Sequence, residues 1–367
     1  MTNIPFHPDW RDRQSAAFDL WGNSTAGDTV RLDLWGRQVD VYANANLSIY
    51  SAQPCNARCA FCVEELRPAS RGVALQMQKT VESDDLRYFE ALEKVLTALA
   101  PLQPSVSITG GEPSMDPRLP QLLQTLEQHG ARKRTITTNG SGLLENRDGK
   151  ALIDWIASSH VSHLNISRAH SDETINAKLM RYRASPDAAM LREIVRRAKA
   201  GGTRVRLSCV LVKGAVDDFS NVLAYLNFAS SLGVDNVIFR QLMQTDPTTV
   251  SENFVTKFSE RNRVDMRFVL EQISQDPSFE FNRQVMGYYY YVEVWRYRGM
   301  DVVFEGADLA RIEQHKKLDH GIVHELIFHP NAKLASTWQP WDGILGPPGH
   351  LHQSSSTLDQ AYVLAFS

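Results

Sequence analysis

Asn46-Leu-Ser-Ile-Tyr50 runs, after four residues, into Cys55-Asn-Ala-Arg-Cys59-Ala-Phe-Cys62. A short apolar segment bounded by polar residues reads as a strand, and the cysteines then occupy the loop at its carboxyl end. The same unit repeats downstream. Ser105–Thr109 reads as a strand followed by Gly110-Gly111-Glu112-Pro113, and Arg134–Thr138 as one followed by Asn139-Gly140. Val161–Ser167 ends at Arg168-Ala-His170, Arg204–Val212 is a fifth strand, and Asp235–Arg240 a sixth that ends at Gln241. Helical periodicity fills the intervals. Ser83 is placed to cap a helix in which Leu86, Phe89, Leu92, Leu96 and Leu99 share a face. Further helices are expected at Pro117–His129, Ala151–Ser158, Asp187–Ala200, Asp217–Leu232 and Arg263–Ile273, three of them closed by glycine. Strands alternating with helices imply parallel βαβ units with right-handed crossovers. Six units make an α/β fold, a partial (β/α)6 barrel of the TIM type.

The texture changes after this core. Tyr288–Trp295, Met300–Phe304, Val323–His329 and Lys333–Trp338 read as strands, with one short helix at Ala307–His315 and an irregular tail from Gly346. The expected division is an N-terminal extension over 1–44, the (β/α)6 core over 45–275, and a C-terminal β-rich cap with its tail over 276–367.

The cysteine loop admits several chemistries on its residues alone. Thiolates are the usual protein ligands of a [4Fe–4S] cluster, and three ligands for four irons leave one iron open. Structural zinc wants four ligands, and no histidine or fourth cysteine lies near in sequence. A C-x-x-C redox pair at Cys59 and Cys62 leaves Cys55 without a role. Disulfides would leave one thiol of the three unpaired, and a large chain with only four cysteines suits a reducing compartment. The fourth, Cys209, falls inside an expected strand and reads as a buried structural thiol. A formal charge of −3 gives no reason to expect nucleic acid as a partner. The first residues lack an apolar signal core, and no apolar run is long enough to span a bilayer, so a cytoplasmic location without membrane contact is expected.

In parallel sheets, ligands gather at the carboxyl ends of the strands. The unusual residues of this chain are placed there, strand after strand. Adjacent glycines let backbone approach a ligand closely, and Glu112 adds a carboxylate.

These motifs together resemble those of the radical S-adenosylmethionine superfamily. The resemblance rests on Cys-x3-Cys-x2-Cys with Phe61 before the last cysteine and on Gly-Gly-Glu-Pro after the second strand, within a six-fold βα pattern over Asn46–Gln241. It implies that Cys55, Cys59 and Cys62 hold one [4Fe–4S] cluster and that S-adenosyl-L-methionine binds its fourth iron. It also implies that Gly110, Gly111 and Glu112 hold the methionyl amine, and that Thr138 and Ser167 face the methionine carboxylate or ribose. Reductive cleavage would give methionine and a 5′-deoxyadenosyl radical that abstracts hydrogen, with the electron coming from an external reductant of flavodoxin or ferredoxin type. A cluster reaches the low potential this needs through its charge, sulfur hydrogen bonds and exposure.

Within the superfamily the chain looks most similar to the group containing the molybdenum-cofactor cyclase and the peptide maturases. It departs from both. There is no cysteine after Cys209 for auxiliary clusters, and the chain ends in Ala365-Phe-Ser367 where the cyclase has Gly-Gly. The expected substrate is a small metabolite, amino acid or nucleotide; a peptide is the enzymatic alternative, and a metal-cluster regulatory binding protein the alternative of another class. Arg168, His170, Arg240 and Gln241 on the rim, and Tyr288–Tyr291, Trp295, His329, Trp338 and Trp341 from the C-terminal segment, are the candidate substrate contacts. Two rim arginines suit a carboxylate or phosphate.

Overall fold

The structure is a computed structural model and describes residues 29–67, 75–243, 245, 248–286, 290–307 and 321–347. β1 (Thr29–Leu34) and β2 (Arg37–Tyr42) form an antiparallel hairpin ahead of the core, which the sequence reading did not resolve into strands. The core then alternates as expected. β3 (Leu47–Tyr50) precedes the cysteine loop and α1 (Asp85–Ala98); β4 (Val106–Thr109) is followed by α2 (Leu119–Gln128). β5 (Arg134–Thr138) leads through a small hairpin, β6 (Asn146–Arg147) with β7 (Lys150–Ala151), into α3 (Leu152–Ser158). β8 (His163–Ser167) is followed by two helices, α4 (Glu173–Met180) and α5 (Ala188–Ala200). β9 (Arg204–Leu211), α6 (Phe219–Ser231) and β10 (Asn236–Gln241) close the series.

Side-chain caps start these helices. Asp84, Asp172, Asp187 and Asp218 each accept a backbone N–H from the first turn of α1, α4, α5 and α6. The cap of α1 is Asp84 rather than Ser83, and the buried stripe is Tyr88, Phe89, Leu92, Val95 and Leu96. Leu86 is 69% exposed. It stands outside that stripe, where Tyr88 is buried instead. The single helix expected at Arg263–Ile273 is two. Asn253 and Thr256 form a reciprocal capping box that starts α7 (Phe254–Asn262), the chain is extended at Arg263, and Asp265 caps α8 (Met266–Gln275).

The C-terminal strands are β11 (Phe279–Met286), β12 (Tyr290–Tyr297), β13 (Met300–Ala307), β14 (Ile322–Val323), β15 (Leu326–Phe328), β16 (Leu334–Ala335) and β17 (Ile344–Gly346). They lengthen the core sheet at both edges, giving the order β11-β12-β13-β10-β9-β8-β5-β4-β3-β15-β16-β17. β13 lies parallel to β10 and β15 parallel to β3. Eight adjacent parallel strands therefore surround the site, and the sheet does not close on itself. β14 joins the β1–β2 hairpin instead. The helix expected at Ala307–His315, apart from Ala307 at the end of β13, and the tail beyond 347 lie outside the described residues.

One face of the sheet packs on the helices. Leu47, Ile49, Ile108, Ile136, Leu164, Leu207, Cys209 and Phe239 are all fully buried there, against helix residues such as Leu92, Leu123, Ile153, Ile194 and Tyr225. Among the described residues no helix is long and apolar enough to cross a membrane.

Candidate active site

The other face of the sheet lines the lumen, and it is polar. Ser48, Ser107, Thr135, His163 and Arg204 stand opposite one another in a single register row across five strands. Thr137, Asn165 and Arg206 continue this face one row nearer the rim, since alternate residues of a strand share a side. A small apolar patch of Ile238, Val292, Val294 and Val303 lies beside them.

At the rim, β3 delivers the three cysteines, each half-buried and free of disulfides. The loop is fixed by backbone bonds within itself (Cys62 N–H to Cys59 O, 3.2 Å) and to the end of α4 (Ala60 N–H to Leu179 O, 2.9 Å). Phe61 packs with Leu179 and Phe258 against Val212, Ala215 and Leu242. Among the described residues no three His, Cys, Asp or Glu side chains are drawn together as ligands of a single small ion.

The next strand supplies the centre of the rim. Gly110 and Gly111 have φ of +71° and +47°. Their Cβ positions are occupied: at Gly110 by the Tyr50 ring, 2.2 Å away, and at Gly111 by the Gln53 carbonyl, 2.0 Å away. Only glycine allows the β4 loop to lie this close to the strand that carries the cysteines. Glu112 then caps a short 3₁₀ turn at Pro113–Met115. Its carboxylate, 2% exposed, accepts from Ser114 N (2.9 Å), Ser114 Oγ (2.7 Å), Asn139 N (2.8 Å) and the Thr138 hydroxyl. Asn139 Nδ2 donates to Asn56 Oδ1 at 2.7 Å, and Asn56 Nδ2 reaches Ser141 Oγ (3.0 Å) and Tyr182 Oη (2.9 Å). Glu112 thus ties the glycine turn to the β5 loop, and Asn139 ties that loop to the residue after Cys55. Three of these donors meet Oε1 and one meets Oε2, and since each carboxylate oxygen offers about two acceptor positions, Oε2 keeps one.

The donor set fits an iron–sulfur cluster. Burial is the largest effect on all three thiols and raises each of them, Cys62 to about 12. The neighbouring groups that raise them further are the other cysteines and the acids Glu64 and Glu112. Such a trio becomes thiolate only when a metal centre supplies the positive charge. Hydrogen bonds from Ala57 N–H and the Asn139 side chain act on Cys55 in the opposite sense, and bonds of this kind tune a cluster's potential.

A second buried network stands behind the loop. Tyr50 Oη donates to Glu64 Oε2 at 3.0 Å, and Lys79 Nζ lies 3.7 Å over the Tyr50 ring. Lys79 also bonds His329 Nδ1 (3.0 Å) and Trp338 O (3.1 Å), while Arg67 stacks on the Trp338 ring. His329, in the β15–β16 turn, and Trp338, beyond β16, therefore pack with Lys79 and Arg67 behind the cysteine loop.

The remaining expected contacts are distributed unevenly. Ser167 is half-buried on the lumen face opposite Ser208. Thr138 is buried on the other face and engaged with Glu112. The Arg168 guanidinium, also buried, donates to the carbonyls of His170 (2.9 Å), Pro186 (2.9 Å) and Ser171 (3.3 Å), so it organises its own turn. His170 Nδ1 accepts from Asp172 N, as a turn residue does. Gln241 bonds Val264 O and Arg263. Arg240 faces the lumen but pairs with Glu305 at 3.2 Å. Trp295 is buried on β12 and donates to Glu293; Trp341 is exposed. Tyr291 is buried and bonds Glu293, whereas Tyr288, Tyr289 and the Tyr290 side chain lie outside the described structure.

Residues 49–226 match the family model described as the radical SAM superfamily. The chain carries a radical SAM domain. The family's cofactors are a [4Fe–4S] cluster and S-adenosylmethionine. The domain is 37% identical over 143 residues to an S-adenosylmethionine-dependent nucleotide dehydratase of Lacinutrix mariniflava, covering 38% of this chain and 28% of that protein. It is 25% identical over 246 residues to a GTP 3′,8-cyclase of Pseudomonas fluorescens, covering 66% of this chain and 67% of that protein. The chain thus spans only part of the length of these relatives. Among solved structures, Streptococcus suis SuiB bound to precursor peptide SuiA superposes with a TM-score of 0.49 at 16% identity, covering 81% of this chain and 60% of that one.

The sequence reading placed Asn139 on the rim but did not single out Asn56, Arg206 or His163. The signal for the last two was available. Strands of a parallel sheet buried on both faces read as near-continuous apolar runs, yet His163-Leu-Asn-Ile-Ser167 and Arg204-Val-Arg-Leu-Ser208 alternate. Alternation in a parallel strand marks a face that lines a polar space.

Proposed function

We propose that the chain is a radical SAM enzyme acting on a small anionic, hydroxyl-bearing metabolite of nucleotide type. The observation that supports it most is the knot at the rim, where Glu112, Asn139 and Asn56 hold the cysteine loop and the glycine turn together above a polar, cationic lumen. The names of the relatives, a nucleotide dehydratase and a GTP cyclase, favour the same substrate class.

When bound, the cluster and S-adenosylmethionine supply a 5′-deoxyadenosyl radical and methionine after one-electron reduction of the sulfonium, and the radical takes hydrogen from a C–H bond. The residues of the chain do the positioning. Cys55, Cys59 and Cys62 are the three thiolate ligands. Gly110, Gly111 and Glu112 hold the methionyl amine, the glycines by bringing main chain close and Glu112 through the acceptor position left on Oε2. Ser167, on the lumen face, is placed for the carboxylate or ribose. Phe61 and its apolar neighbours exclude water from one side of the rim. The electron comes from an external flavodoxin- or ferredoxin-type donor.

The test is anaerobic reconstitution followed by assay for 5′-deoxyadenosine with dithionite and a panel of nucleotides. Formation stimulated by a nucleotide and absent with amino acids supports the reading. A reduced four-iron protein with bound S-adenosylmethionine that releases no 5′-deoxyadenosine under any condition refutes it.

A further inference from the structure

The lumen does not end at the rim. Its amino-terminal end collects positive charge that the acids among the described residues pair only in part. Arg204, in the lowest register row, is held by Asp301 Oδ2 (2.7 Å) and Asp235 Oδ1 (3.4 Å). Arg240, nearer the rim, has Glu305. Between them stands Arg206, whose Nε donates to the neutral amide of Asn236. Among the described residues neither Arg206 nor Lys133 has a carboxylate within ion-pairing distance. Lys133 lies two residues before Thr135 on β5, and Thr135 is the register partner of His163.

The field of these groups is felt by their neighbours. Burial, then Arg206, Lys133 and Arg204, pull His163 down to about 4. Burial, then Arg240, lower Arg206 to about 10, with Glu305 and Asp301 acting in the opposite sense from beyond ion-pairing distance. Two side-chain atoms here also lack partners. His163 Nδ1 and Asn165 Oδ1 are buried and make no hydrogen bond, although Asn165 Nδ2 donates to Thr137 Oγ1 at 3.3 Å. A buried polar atom left unpaired is unfavourable, and a ligand that supplies its partner removes that cost.

We propose that Arg206, Lys133 and His163 form a binding site for a phosphoryl group of the substrate, an inference that rests on the substrate class proposed above. Charge selects phosphate over carboxylate. With His163 neutral, Arg206 and Lys133 contribute two positive charges, and a phosphoryl group carries about −1.5 to −2 at pH 7. A single carboxylate would leave one cation uncompensated. Arg206 offers a planar fork, the geometry that suits phosphate oxygens. Asn165 Oδ1, an acceptor one row nearer the rim, takes a hydroxyl donor from the same ligand. Four residues of β8 separate His163 from Ser167, a rise of about 13 Å. The substrate is therefore held with its phosphoryl end down and its reacting C–H toward the cysteine rim.

The experiment is calorimetric titration of reconstituted protein with inorganic pyrophosphate, with glutarate as the carboxylate arm. Pyrophosphate is expected to bind at least tenfold tighter than glutarate, and Arg206→Gln to lose at least tenfold in pyrophosphate affinity. Lys133→Gln, at an exposed position, is expected to lose several-fold and serves if Arg206→Gln does not fold. With pyrophosphate bound, the His163 imidazole is expected to titrate at higher pH by nuclear magnetic resonance. Equal binding of the two anions, or pyrophosphate affinity unchanged in the variants, overturns the site. Cleavage of S-adenosylmethionine measured on the same wild-type preparation keeps the two readings apart. Cleavage without pyrophosphate binding removes only the phosphoryl site, and Arg206-dependent binding without cleavage removes only the enzymatic reading.

Discussion

Gly111→Ala tests how the glycine turn and the cysteine loop depend on one another. The added Cβ meets the Gln53 carbonyl oxygen at 2.0 Å, with φ at +47°. Ordinary contact begins at 3.4 Å, so the two main chains must separate by about 1.4 Å. The left-handed conformation costs an L-residue roughly 1–2 kcal/mol. Separation also stretches the bond from Glu112 N to Gln53 O, now 3.1 Å, worth about 1 kcal/mol. The total is about 2–3 kcal/mol. Spread over a chain of this size it lowers the melting temperature by roughly 3–4 °C. The larger effect is local, because Gln53 stands two residues before Cys55 and a loop displaced by this much no longer presents three thiols to one cluster. Iron content after reconstitution and thermal melting by circular dichroism measure the two parts. A variant that melts within a degree or two of wild type and takes up four irons refutes the claim that this contact sets the loop.

Alanine at Cys55, Cys59 or Cys62 should abolish the iron–sulfur charge-transfer absorbance, whereas Cys209→Ala should leave iron unchanged and cost about 1 kcal/mol from the lost buried sulfur; iron loss in the Cys209 variant would reopen a four-ligand centre. Glu112→Gln places an N–H₂ against one of four donors and should cost about 1–3 kcal/mol while weakening S-adenosylmethionine binding, read by melting and by equilibrium dialysis; an unchanged affinity would show that the turn survives without the charge. Lys79 is pulled down to about 7 by burial, with Arg67 acting in the same sense. Its unfolded value is near 10.4, so the unfolded chain binds more protons between these values and this group makes stability rise with pH from about 7 to 10.4. Lys79→Met should remove that slope from the difference in denaturation free energy measured at pH 7 and pH 10; parallel slopes in the two proteins would contradict it.

The barrel half of this fold was legible because each strand ends in residues with a local reason to be there. Gly130, Gly202 and Gly233 all take positive φ just past helices, as their positions in the sequence implied. The edges of the sheet were not legible. β15 and β16 are three and two residues long, and nothing local in Leu326–Phe328 says that its partner is Leu47–Ile49, some 280 residues earlier. The site divided in the same way. Cysteines and paired glycines announce themselves by type and spacing, but Arg168 and Gln241 have the same type as a ligand contact and are consumed by nearby carbonyls. Whether a strand-end arginine is free depends on Pro186 and Ser171, whose proximity is tertiary. Arg206 and His163 lie within strands rather than at their ends, and only the polar alternation along β8 and β9 marks them as facing the lumen.

The pairing of β15 with β3 has a temporal meaning. During synthesis the strand that bears the metal-binding loop emerges early and keeps one side unzipped until residues 326–328 arrive. An open strand edge invites the wrong neighbour, and the buttress behind the loop, Lys79 against His329 and Trp338, is likewise incomplete until then. A metal centre on this loop is therefore expected only once residues 326–328 have emerged, and a nascent chain stalled before residue 326 should be colourless where one extended past that strand is brown.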